Sequence, residues 1–546
     1  MKRILLSILC FLSISLKAQH PLVFTGFDLN SGLFDSDPQQ FDSIGNRMLF
    51  SAIDAANGHE IWISDGTVAG TKMLKDIYSG ANSSNAMLSG HIVMNGKMYF
   101  SAEDAANGRE LWVTDGTVAG TQLLTDIFPG SSSGIVTYMF PTVLNSKIYF
   151  LASSSANGVE IWETDGTAAN THILKDIYSG AISSAPNGLT VMGGKIYFSA
   201  NDGINGDELW VTDGTAAGTV MVKDLNPGIS GSQIANMRVF NGKLYFMAVT
   251  TPRGRELWES DGTAAGTSIL KDINPGAGSG VYGDNLVELN GKLFFAGDDG
   301  IDGVELWTTD GTSVGTKMVK NVYPGAGNGC YPTEFGIYNN KLFYRADDGT
   351  NGFEPWYSDG TATGTGMLMD IASGSWSDSD PGLFTQYKKN LYFVAWNGAG
   401  FHMYISDGTA ANTQIIEPNI SPIATSPYTN TSRLYMFDST LYYRASYDGA
   451  TGDELWALKD TTNYTTPPGA VHRVQINAVS SVHPNPNNGN FILQLNTLSI
   501  TPVLIKLYDM TGRLTYSEQL PSMDLTYKIS IPDLPAGSYS LSVITD

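Results

Sequence analysis

A twelve-residue motif recurs along most of the chain at a nearly constant distance. The segment that starts at Glu60 reads EIWISDGTVAGT, and close copies start at Glu110, Glu160, Glu208, Glu256, Glu305 and Glu354. A degenerate copy, HMYISDGTAANT, starts at His402, and a ninth keeps only Glu454-Leu455-Trp456. The Asp of the DGT triplet stands at 65, 115, 165, 213, 261, 310, 359 and 407, so the period is 48 to 50 residues. Such a period predicts one small structural unit repeated many times.

Each repeat unit reads as four strands. A short apolar segment such as 286–289 leads into a two-residue turn, often Asn-Gly as at 290–291, which is typical of a tight β-hairpin. The second strand resembles 243–246, the third carries the Glu-Leu-Trp triplet, and the fourth resembles 270–273. A Gly- and Ser-rich loop then leads to the next unit. The hydrophobic residues of these segments do not recur with the period near 3.6 that a helical repeat would show, so the fold is predicted to be all-β. A repeat of four antiparallel strands is typical of one blade of a β-propeller.

The number of strands predicts how the ring closes. The second and third strands occur nine times, but the fourth strand follows only the first eight units. Residues 22–32 resemble a fourth strand with its loop, compared with 221–228. We therefore predict nine blades over residues 22–458, with the N-terminal strand completing the last blade and leaving no exposed sheet edge. The alternative is eight blades, if the degenerate eighth unit does not form one.

Composition and the N-terminus place the protein outside the cytoplasm. Residues 4–16 are apolar and follow Lys2-Arg3, which predicts a signal peptide over residues 1–18 that is cleaved after Ala18. Thirteen apolar residues are too few for a transmembrane span, which needs about 20. The net charge of −22 would become −25 after cleavage, and this repulsive field excludes a nucleic-acid partner. Cys330 would then be the only cysteine, so no internal disulfide is expected, and we interpret it as a packed loop residue.

The repeats resemble a family of exported bacterial proteins built from ELWxxDGTxxGT motifs. The resemblance covers residues 22–458, and the eighth copy departs from it because His402 and Tyr404 replace Glu and Trp. This resemblance implies a propeller-like secreted or cell-surface protein, and it implies no particular reaction or ligand.

The C-terminal part has a different composition. Residues 459–477 are rich in Thr, Pro and Gly and are predicted to form a linker, and the short alternating strands of 478–546 predict a small Ig-like β-sandwich. Three ordered motifs in this part resemble the type A C-terminal sorting domain of type IX secretion; they consist of Pro484, Asn485, Pro486 and Gly489, then Gly512 and Arg513, then Leu534, Pro535, Gly537 and Tyr539. The resemblance implies the type IX machinery as a partner. It also implies passage through the periplasm of a Gram-negative bacterium to the outer cell surface or the medium.

The recurring acidic residues are interpreted first as structural. An Asp at a hairpin tip accepts N–H groups two residues on, and eight copies argue for a role in the fold, whereas a catalytic residue is needed once. The recurring Glu and Trp share one face of a strand, so we expect the Trp to pack between blades and the Glu to bind a neighbouring cation or backbone group. No catalytic motif is recognised, and no cofactor is predicted, except that calcium is allowed by two groups of oxygen-bearing side chains: Asp54, Asn57 and Glu60, and Asp202, Asn205 and Glu208.

Departures from the repeat mark the expected ligand site. Turns after strands one and three are short and lie on one face, whereas the longer, variable loops share the other face. Trp376 and Trp396 stand outside the repeated Trp positions and both fall on this second face. We predict that they bind a ligand, for example by stacking on sugar rings, together with His402 and Asp378 or Asp380. The alternative is that both aromatic residues simply pack on their own blade.

The function predicted from these features is that of a non-enzymatic binding or adhesion protein. Its partner would be an extracellular glycan or a surface protein. A polysaccharide hydrolase or lyase on the same scaffold is the alternative, and it would need a pair of carboxyl groups in the loop-face pocket. A structural surface-layer component is a third possibility, and it predicts strong self-association and no pocket.

Overall fold

The computed structural model describes most of the repeat region and the strands of the C-terminal part. The described residues are 22–31, 34–88, 90–135, 138–325, 327–374, 377–416, 434–446 and 452–461, followed by 479–483, 490–495, 503–509, 514–520, 526–530 and 539–544. They form two separate units that divide between Thr462 and Asn463.

The first unit consists of nine four-stranded antiparallel sheets. Strand β1 is Leu22–Phe27, and the first blade follows with β2 (Gln39–Ile44), β3 (Arg47–Asp54), β4 (Gly58–Ser64) and β5 (Lys72–Lys75). Blade two contains β6 (His91–Met94), β7 (Lys97–Asp104), β8 (Gly108–Thr114) and β9 (Gln122–Thr125). Blade three contains β10 (Thr142–Leu144), β11 (Lys147–Ala152), β12 (Glu160–Thr164) and β13 (His172–Lys175). Blade four contains β14 (Asn187–Met192), β15 (Lys195–Asn201), β16 (Asp207–Thr212) and β17 (Val220–Lys223).

The remaining blades repeat the same order. Blade five contains β18 (Ala235–Phe240), β19 (Lys243–Thr250), β20 (Gly254–Ser260) and β21 (Ser268–Lys271). Blade six contains β22 (Val281–Leu289), β23 (Lys292–Asp298), β24 (Val304–Thr309) and β25 (Lys317–Lys320). Blade seven contains β26 (Thr333–Tyr338), β27 (Lys341–Asp347), β28 (Phe353–Ser358) and β29 (Gly366–Met367). Blade eight contains β30 (Gly382–Tyr387), β31 (Asn390–Trp396), β32 (Phe401–Ser406) and β33 (Gln414–Ile415).

The ninth blade joins the two ends of the ring. It contains β34 (Tyr435–Phe437), β35 (Thr440–Ala445) and β36 (Glu454–Asp460), and β1 supplies its fourth strand. Leu22 pairs with Asp460 and Phe27 with Leu455, so β36 runs two residues beyond the predicted end at 458. The predicted nine-bladed ring closed by the N-terminal strand is confirmed, and the degenerate eighth unit does form a blade.

The hairpins have the predicted turn chemistry. Asn95 and Gly96 have φ of +52° and +72°, as a two-residue hairpin turn requires at both positions. The strand limits differ from the predicted ones at two places. The fourth strand of blade five is Ser268–Lys271 instead of 270–273, because the N–H of Ile273 is already bonded to the Glu256 carboxylate. The first strand of blade six begins at Val281, five residues before the predicted start, on the far side of a bulge.

The hydrophobic core lies between neighbouring blades. One cluster joins Leu49 and Ile61 of blade one to Phe100 and Trp112 of blade two, and equivalent clusters recur around the ring. The repeated tryptophans therefore pack between blades, as predicted. First strands of adjacent blades lie beside one another, for example β14 with β18 and β26 with β30, so these strands surround the central channel.

In five blades, a lysine at the end of the fourth strand contacts the next blade. Lys271 Nζ donates to the carbonyl oxygen of Thr316 at 2.6 Å and lies 5.6 Å from the centroid of the Trp307 ring. The same donation is made by Lys75, Lys175, Lys223 and Lys320. We call this pair of contacts the lysine latch. At the equivalent position, Thr125 in blade two and Met369 in blade seven have no ammonium group to donate.

The C-terminal unit contains two three-stranded antiparallel sheets. The first has the order β37 (Val479–His483), β38 (Asn490–Leu495) and β41 (Thr526–Ser530). The second has the order β40 (Leu514–Leu520), β39 (Val503–Asp509) and β42 (Tyr539–Ile544). The Ig-like packing of these sheets stays a prediction. The described helices are the three-residue 3-10 turns Ala168–Asn170 and Ala410–Asn412, and no described helix is long and apolar enough to cross a membrane.

Candidate functional site

The two faces of the ring differ as predicted. Short turns that follow the first and third strands of each blade form one face, which we call the tight-turn face. Connections that follow the second and fourth strands form the other, which we call the loop face. The recurring acidic side chains belong to both faces, so their contacts decide whether they are free to act on a ligand.

The DGT aspartates hold the tight turns. Asp65 Oδ1 accepts the N–H of Thr67 at 3.0 Å and its hydroxyl at 2.7 Å, and both bonds hold the pKa of this exposed carboxyl below its usual value. Gly66 has φ of +89°. A Cβ at Gly70 would lie 2.0 Å from the Asp65 carboxylate, which explains the second glycine of the motif. The structural interpretation of the DGT motif therefore agrees with its geometry.

Two copies of the motif replace this second glycine by asparagine. Asn170 Nδ2 donates to Asp165 Oδ2 at 2.7 Å, and Asn412 does the same to Asp407. Both copies form the 3-10 turns mentioned above. The exchange keeps the aspartate bonded to its own turn.

The recurring glutamates organise the loop face. Glu60 is fully buried, and its carboxylate accepts the N–H groups of Ile77, Tyr78 and Ser84 at 2.9, 3.2 and 3.0 Å. The Ser84 hydroxyl donates to the same carboxylate at 2.7 Å. The partners of the Glu are therefore backbone groups of the loop that leads to the next blade. We call this arrangement the glutamate cap.

The glutamate cap recurs at Glu110, Glu160, Glu208, Glu256, Glu305 and Glu354, and Glu454 makes it with the N-terminal segment. In blade six, Cys330 takes the place of the serine, and its buried thiol bonds to Glu305. Burial raises the pKa of this thiol well above its usual value, in agreement with a packed loop residue. Burial also raises the pKa of Glu110, Glu208, Glu256, Glu354 and Glu454 to about 7.

Among the calcium candidates, the Asp and Asn side chains form a turn, and the Glu side chains belong to the glutamate cap. Asp54 Oδ1 accepts the N–H groups of Ala56 and Asn57, and Asn57 Nδ2 donates to both Asp54 oxygens. Asp202 and Asn205 form the same turn, whereas Glu60 and Glu208 point to their loops. A Cβ at Gly58 would lie 2.2 Å from the Asn82 carbonyl oxygen, so the glycine of the motif is needed for close backbone approach. No group of three or more His, Cys, Asp or Glu side chains in the described residues could hold a metal ion.

The predicted ligand patch is described in part. Trp376 lies outside the described residues. Trp396 is half-buried at the end of β31, and its ring lies 5.4 Å from that of Phe401 at an interplanar angle of 67°. The backbone N–H of Trp396 donates to the Ser379 carbonyl oxygen at 2.7 Å, so Trp396 lies beside the loop that enters blade eight. His402 is also half-buried, and burial lowers the pKa of its imidazole.

The two aspartates of this patch have protein partners. Asp378 Oδ1 accepts the N–H of Phe353 at 2.8 Å. Asp380 Oδ1 accepts Nε and Nη2 of Arg345 at 3.1 and 2.8 Å, and the Arg345 guanidinium lies 3.5 Å from the centroid of the Phe353 ring. The structure therefore places the aspartates, Trp396 and His402 on the same two blades, but it uses both carboxylates to fix the loop.

A cavity of about 360 Å³ opens at the channel beside these blades, and the sequence analysis did not identify it. It is lined by first-strand residues and by the residue that precedes β34: Asn285, Glu334, Phe335, Leu383, Phe384, Thr385 and Leu434. We call it the channel pocket. Glu334 is its only carboxyl group among these lining residues. The sequence shows a glutamate at position 334, but only the strand register reveals that Glu334 faces the channel.

Glu334 is held in an unusual backbone conformation. It lies in the bulge of β26 with φ of +55°, and Leu383 lies in the bulge of β30 with φ of +59°. A Cβ at Gly336 would lie 2.3 Å from the Phe384 carbonyl oxygen, so β26 and β30 are in close contact. Burial raises the pKa of the Glu334 carboxyl, although Arg345 and the Leu383 N–H act in the opposite direction.

The sorting motifs lie almost entirely outside the described residues. Of the ten residues named, Tyr539 is described, as the first residue of β42. The residues outside the described part of the chain are Pro484, Asn485, Pro486, Gly489, Gly512, Arg513, Leu534, Pro535 and Gly537.

Comparison with solved structures finds distant similarity to propeller-containing peptidases. A puromycin hydrolase is 13% identical, with a TM-score of 0.35 over 68% of this chain and 61% of its own. A puromycin-hydrolyzing peptidase of Mycobacterium tuberculosis is 10% identical, with a TM-score of 0.34 over 66% of this chain and 57% of its own. This chain thus spans about three fifths of the length of these enzymes. Such low TM-scores carry no activity over to it.

Comparison with protein families identifies the C-terminal part. Residues 481–546 match the family described as the secretion system C-terminal sorting domain. No curated protein matches the chain in sequence. The chain is therefore a nine-bladed β-propeller protein that carries a type IX sorting domain at its C-terminus and is destined for the outside of the cell.

Proposed function

We propose that this protein is a non-enzymatic binding or adhesion protein that holds an extracellular glycan on the loop face of blade eight. The observation that carries the proposal is the aromatic pair of Trp396 and Phe401, which stands where the repeat pattern is broken. Aromatic side chains on a rigid scaffold are a common platform for flat ligand surfaces, and variable loops on such scaffolds are the usual binding surface.

The recurring carboxylates support a binding function over catalysis. The DGT aspartates are bonded to their own turns, and the glutamates are bonded to loop N–H groups. A retaining or inverting glycosidase needs two carboxyl groups about 5 or 6.5–9.5 Å apart. In the channel pocket Glu334 is the only lining carboxyl, and Asp380 is occupied by Arg345. This arrangement argues against the hydrolase or lyase alternative.

A glycan array with the purified secreted protein tests the binding function. We expect wild-type protein to retain a subset of polysaccharides, and Trp396→Ala to weaken that binding by about two- to tenfold, because a stacked ring contributes roughly 0.5–1.5 kcal/mol. Val314→Ala is the matched control, because Val314 is an apolar side chain that is 93% exposed on the tight-turn face. Equal binding by wild type and a folded Trp396→Ala variant would contradict the proposal. Release of reducing ends from a bound polysaccharide would favour the enzyme instead.

The export route is proposed to begin with the N-terminal signal peptide. Cleavage after Ala18 would leave β1 close to the new N-terminus, since β1 begins at Leu22. The type IX machinery would then recognise the sorting domain in the periplasm. Mass spectrometry of the secreted protein should find Gln19 as its first residue, and a mature N-terminus located within β1 would contradict this route.

A further inference from the structure

The channel pocket differs from the predicted patch in its chemistry. Its size, about 360 Å³, lies at the lower end of the range for small-molecule sites. The rings of Phe335 and Phe384 and the side chains of Leu383 and Leu434 give it apolar surface, and Asn285, Glu334 and Thr385 supply polar groups. The lining therefore combines apolar side chains with convergent polar groups, and such polar groups orient a small ligand in a concave site.

The pocket has a negative charge. The charge of Arg345 acts on Glu334, but its Nε and Nη2 are bonded to Asp380 and its guanidinium lies over Phe353. The Asp380 carboxylate therefore offsets the Arg345 charge, and the Glu334 carboxylate remains the only charged group on the lining. The net charge of −22 adds a long-range attraction for cations.

Glu334 occupies a bulge position that recurs in the first strands of several blades. In blades four, five and six, the equivalent left-handed position is filled by Gly188, Asn236 and Gly283, which are residue types that tolerate positive φ. Blade one has Gln40 there, and blades seven and eight have Glu334 and Leu383. Gln40 and Leu383 are strained in the same way, so the conformation belongs to the bulge of the repeat, and its carboxylate is what distinguishes Glu334. Glycine would remove the strain, but it would also remove the carboxylate from the pocket.

We propose that the channel pocket binds a small organic cation through its ammonium group, with Glu334 as the counter-ion. The ammonium would lie against the Glu334 carboxylate, and Phe335 and Phe384 would line the pocket beside it. The Asn285 side-chain carbonyl and the Thr385 hydroxyl can accept the remaining N–H groups. This site is separate from the aromatic pair of Trp396 and Phe401, so the inference goes beyond the proposed glycan-binding function.

The first test compares two small molecules of the same length. Putrescine carries two ammonium groups, and 1,4-butanediol carries hydroxyls in their place. Calorimetry with the secreted full-length protein should show saturable binding of putrescine, with at least about tenfold weaker binding of the diol. We expect higher salt to weaken putrescine binding, because the contact is between charges. Equal affinity for the two molecules, or no saturable binding of putrescine, would overturn the proposal.

The second test separates Glu334 from the general negative charge. Glu334→Gln should weaken putrescine binding by at least about tenfold. Glu288→Gln is the matched control, because Glu288 is an exposed glutamate on the neighbouring first strand β22 and its replacement removes the same charge. Equal losses in the two variants, or no loss in Glu334→Gln, would mean that the overall field, and not this pocket, attracts the cation.

The third test guards against loss of folding. Glu334→Gly should keep or raise the unfolding temperature, because glycine accepts φ of +55° without strain, and it should still lose putrescine binding. A stable Glu334→Gly variant with wild-type affinity would overturn the inference. Trp396→Ala should bind putrescine normally, so this inference and the glycan-binding function can fail independently.

Discussion

Blade eight and the other blades contain the same four strands, but blade eight lacks the glutamate that forms the glutamate cap. Blades one to seven and blade nine have a buried glutamate that caps the following loop. Blade eight has His402 at this position, and Tyr404 replaces the repeated tryptophan. The Tyr404 ring stacks on Phe393 at 5.2 Å, so the hydrophobic contact is kept while the polar cap is lost.

The joint between blades seven and eight also lacks the lysine latch, as does the joint that follows Thr125 in blade two. Met369 cannot form the lysine latch, and the joint is made instead by aromatic contacts and by Tyr338, whose hydroxyl donates to the Lys389 carbonyl oxygen at 2.6 Å. Phe343 and Phe384 contact each other across this joint at 6.4 Å. The comparison indicates that a blade can form without the glutamate cap and without the lysine latch.

Removal of one glutamate cap should have the largest effect on stability. Glu60→Ala leaves three N–H groups and the Ser84 hydroxyl without their acceptor, and we expect it to lower the free energy of unfolding by about 3–5 kcal/mol. His402→Ala, at the same position of blade eight, should cost less than about 1 kcal/mol. Urea denaturation of both variants measures the difference. Equal losses would show that the cap contributes nothing specific to the eight blades that carry it.

A change of pH should alter the stability of all blades that carry the glutamate cap. Its effect on each of these blades should be smaller than the loss of a whole cap. Burial raises the pKa of five cap glutamates to about 7, so the folded protein binds more protons than the unfolded chain between pH 4.5 and 7. Stability should therefore be greater at pH 5.5 than at pH 8.5.

The DGT aspartates should act in the opposite direction at lower pH. Bonds from the Thr67 hydroxyl and N–H lower the pKa of Asp65, and equivalent bonds do so at Asp115 and Asp213, so the stability that they contribute is lost as the pH falls below about 4. Thermal unfolding from pH 3 to pH 9 should show a maximum on the acidic side of neutrality. A melting temperature that rises steadily from pH 5.5 to pH 8.5 would contradict this assignment.

Loss of the lysine latch should lower the stability less than loss of a glutamate cap or a change of pH. Lys271→Met copies the residue of blade seven into blade five, and we expect a loss of about 1 kcal/mol, because a partly exposed charged hydrogen bond and a cation–π contact disappear while the apolar stem is retained. The converse variant, Met369→Lys, should stabilise the ring slightly if the Thr413 carbonyl can accept. No change in either variant would show that the latch accompanies blade packing without adding to it.

The sequence was sufficient to predict the ring because the strands of each repeat unit can be counted from the repeating motif. Glu454-Leu455-Trp456 lacks a fourth strand, and residues 22–32 resemble one, so closure could be inferred without coordinates. The partners of the glutamates could not be inferred, since the N–H groups that bind Glu60 come from 17 to 24 residues further along the chain.

The channel pocket was beyond sequence reasoning for a different reason. Glu334 is an ordinary glutamate in the sequence, and its significance depends on a bulge that turns it towards the channel. Arg345 and Asp380 are 35 residues apart, and their pairing depends on the way in which blade seven meets blade eight. Contacts between irregular positions of different blades are not encoded in a repeat pattern.

The closure by β1 also determines how the ring carries mechanical load. Strand β36 has neighbours on both sides, β1 and β35, and the N–H of its last residue, Asp460, donates to the Tyr387 hydroxyl of blade eight at 3.0 Å. A pull that enters the ring from the C-terminal side therefore acts first on a central strand bonded along both edges. A pull on the N-terminus would instead peel β1 from Leu22 onwards, one hydrogen bond at a time, because the antiparallel pair starts at Leu22 and Asp460. An adhesion protein anchored through its C-terminus would thus be loaded along its stronger end.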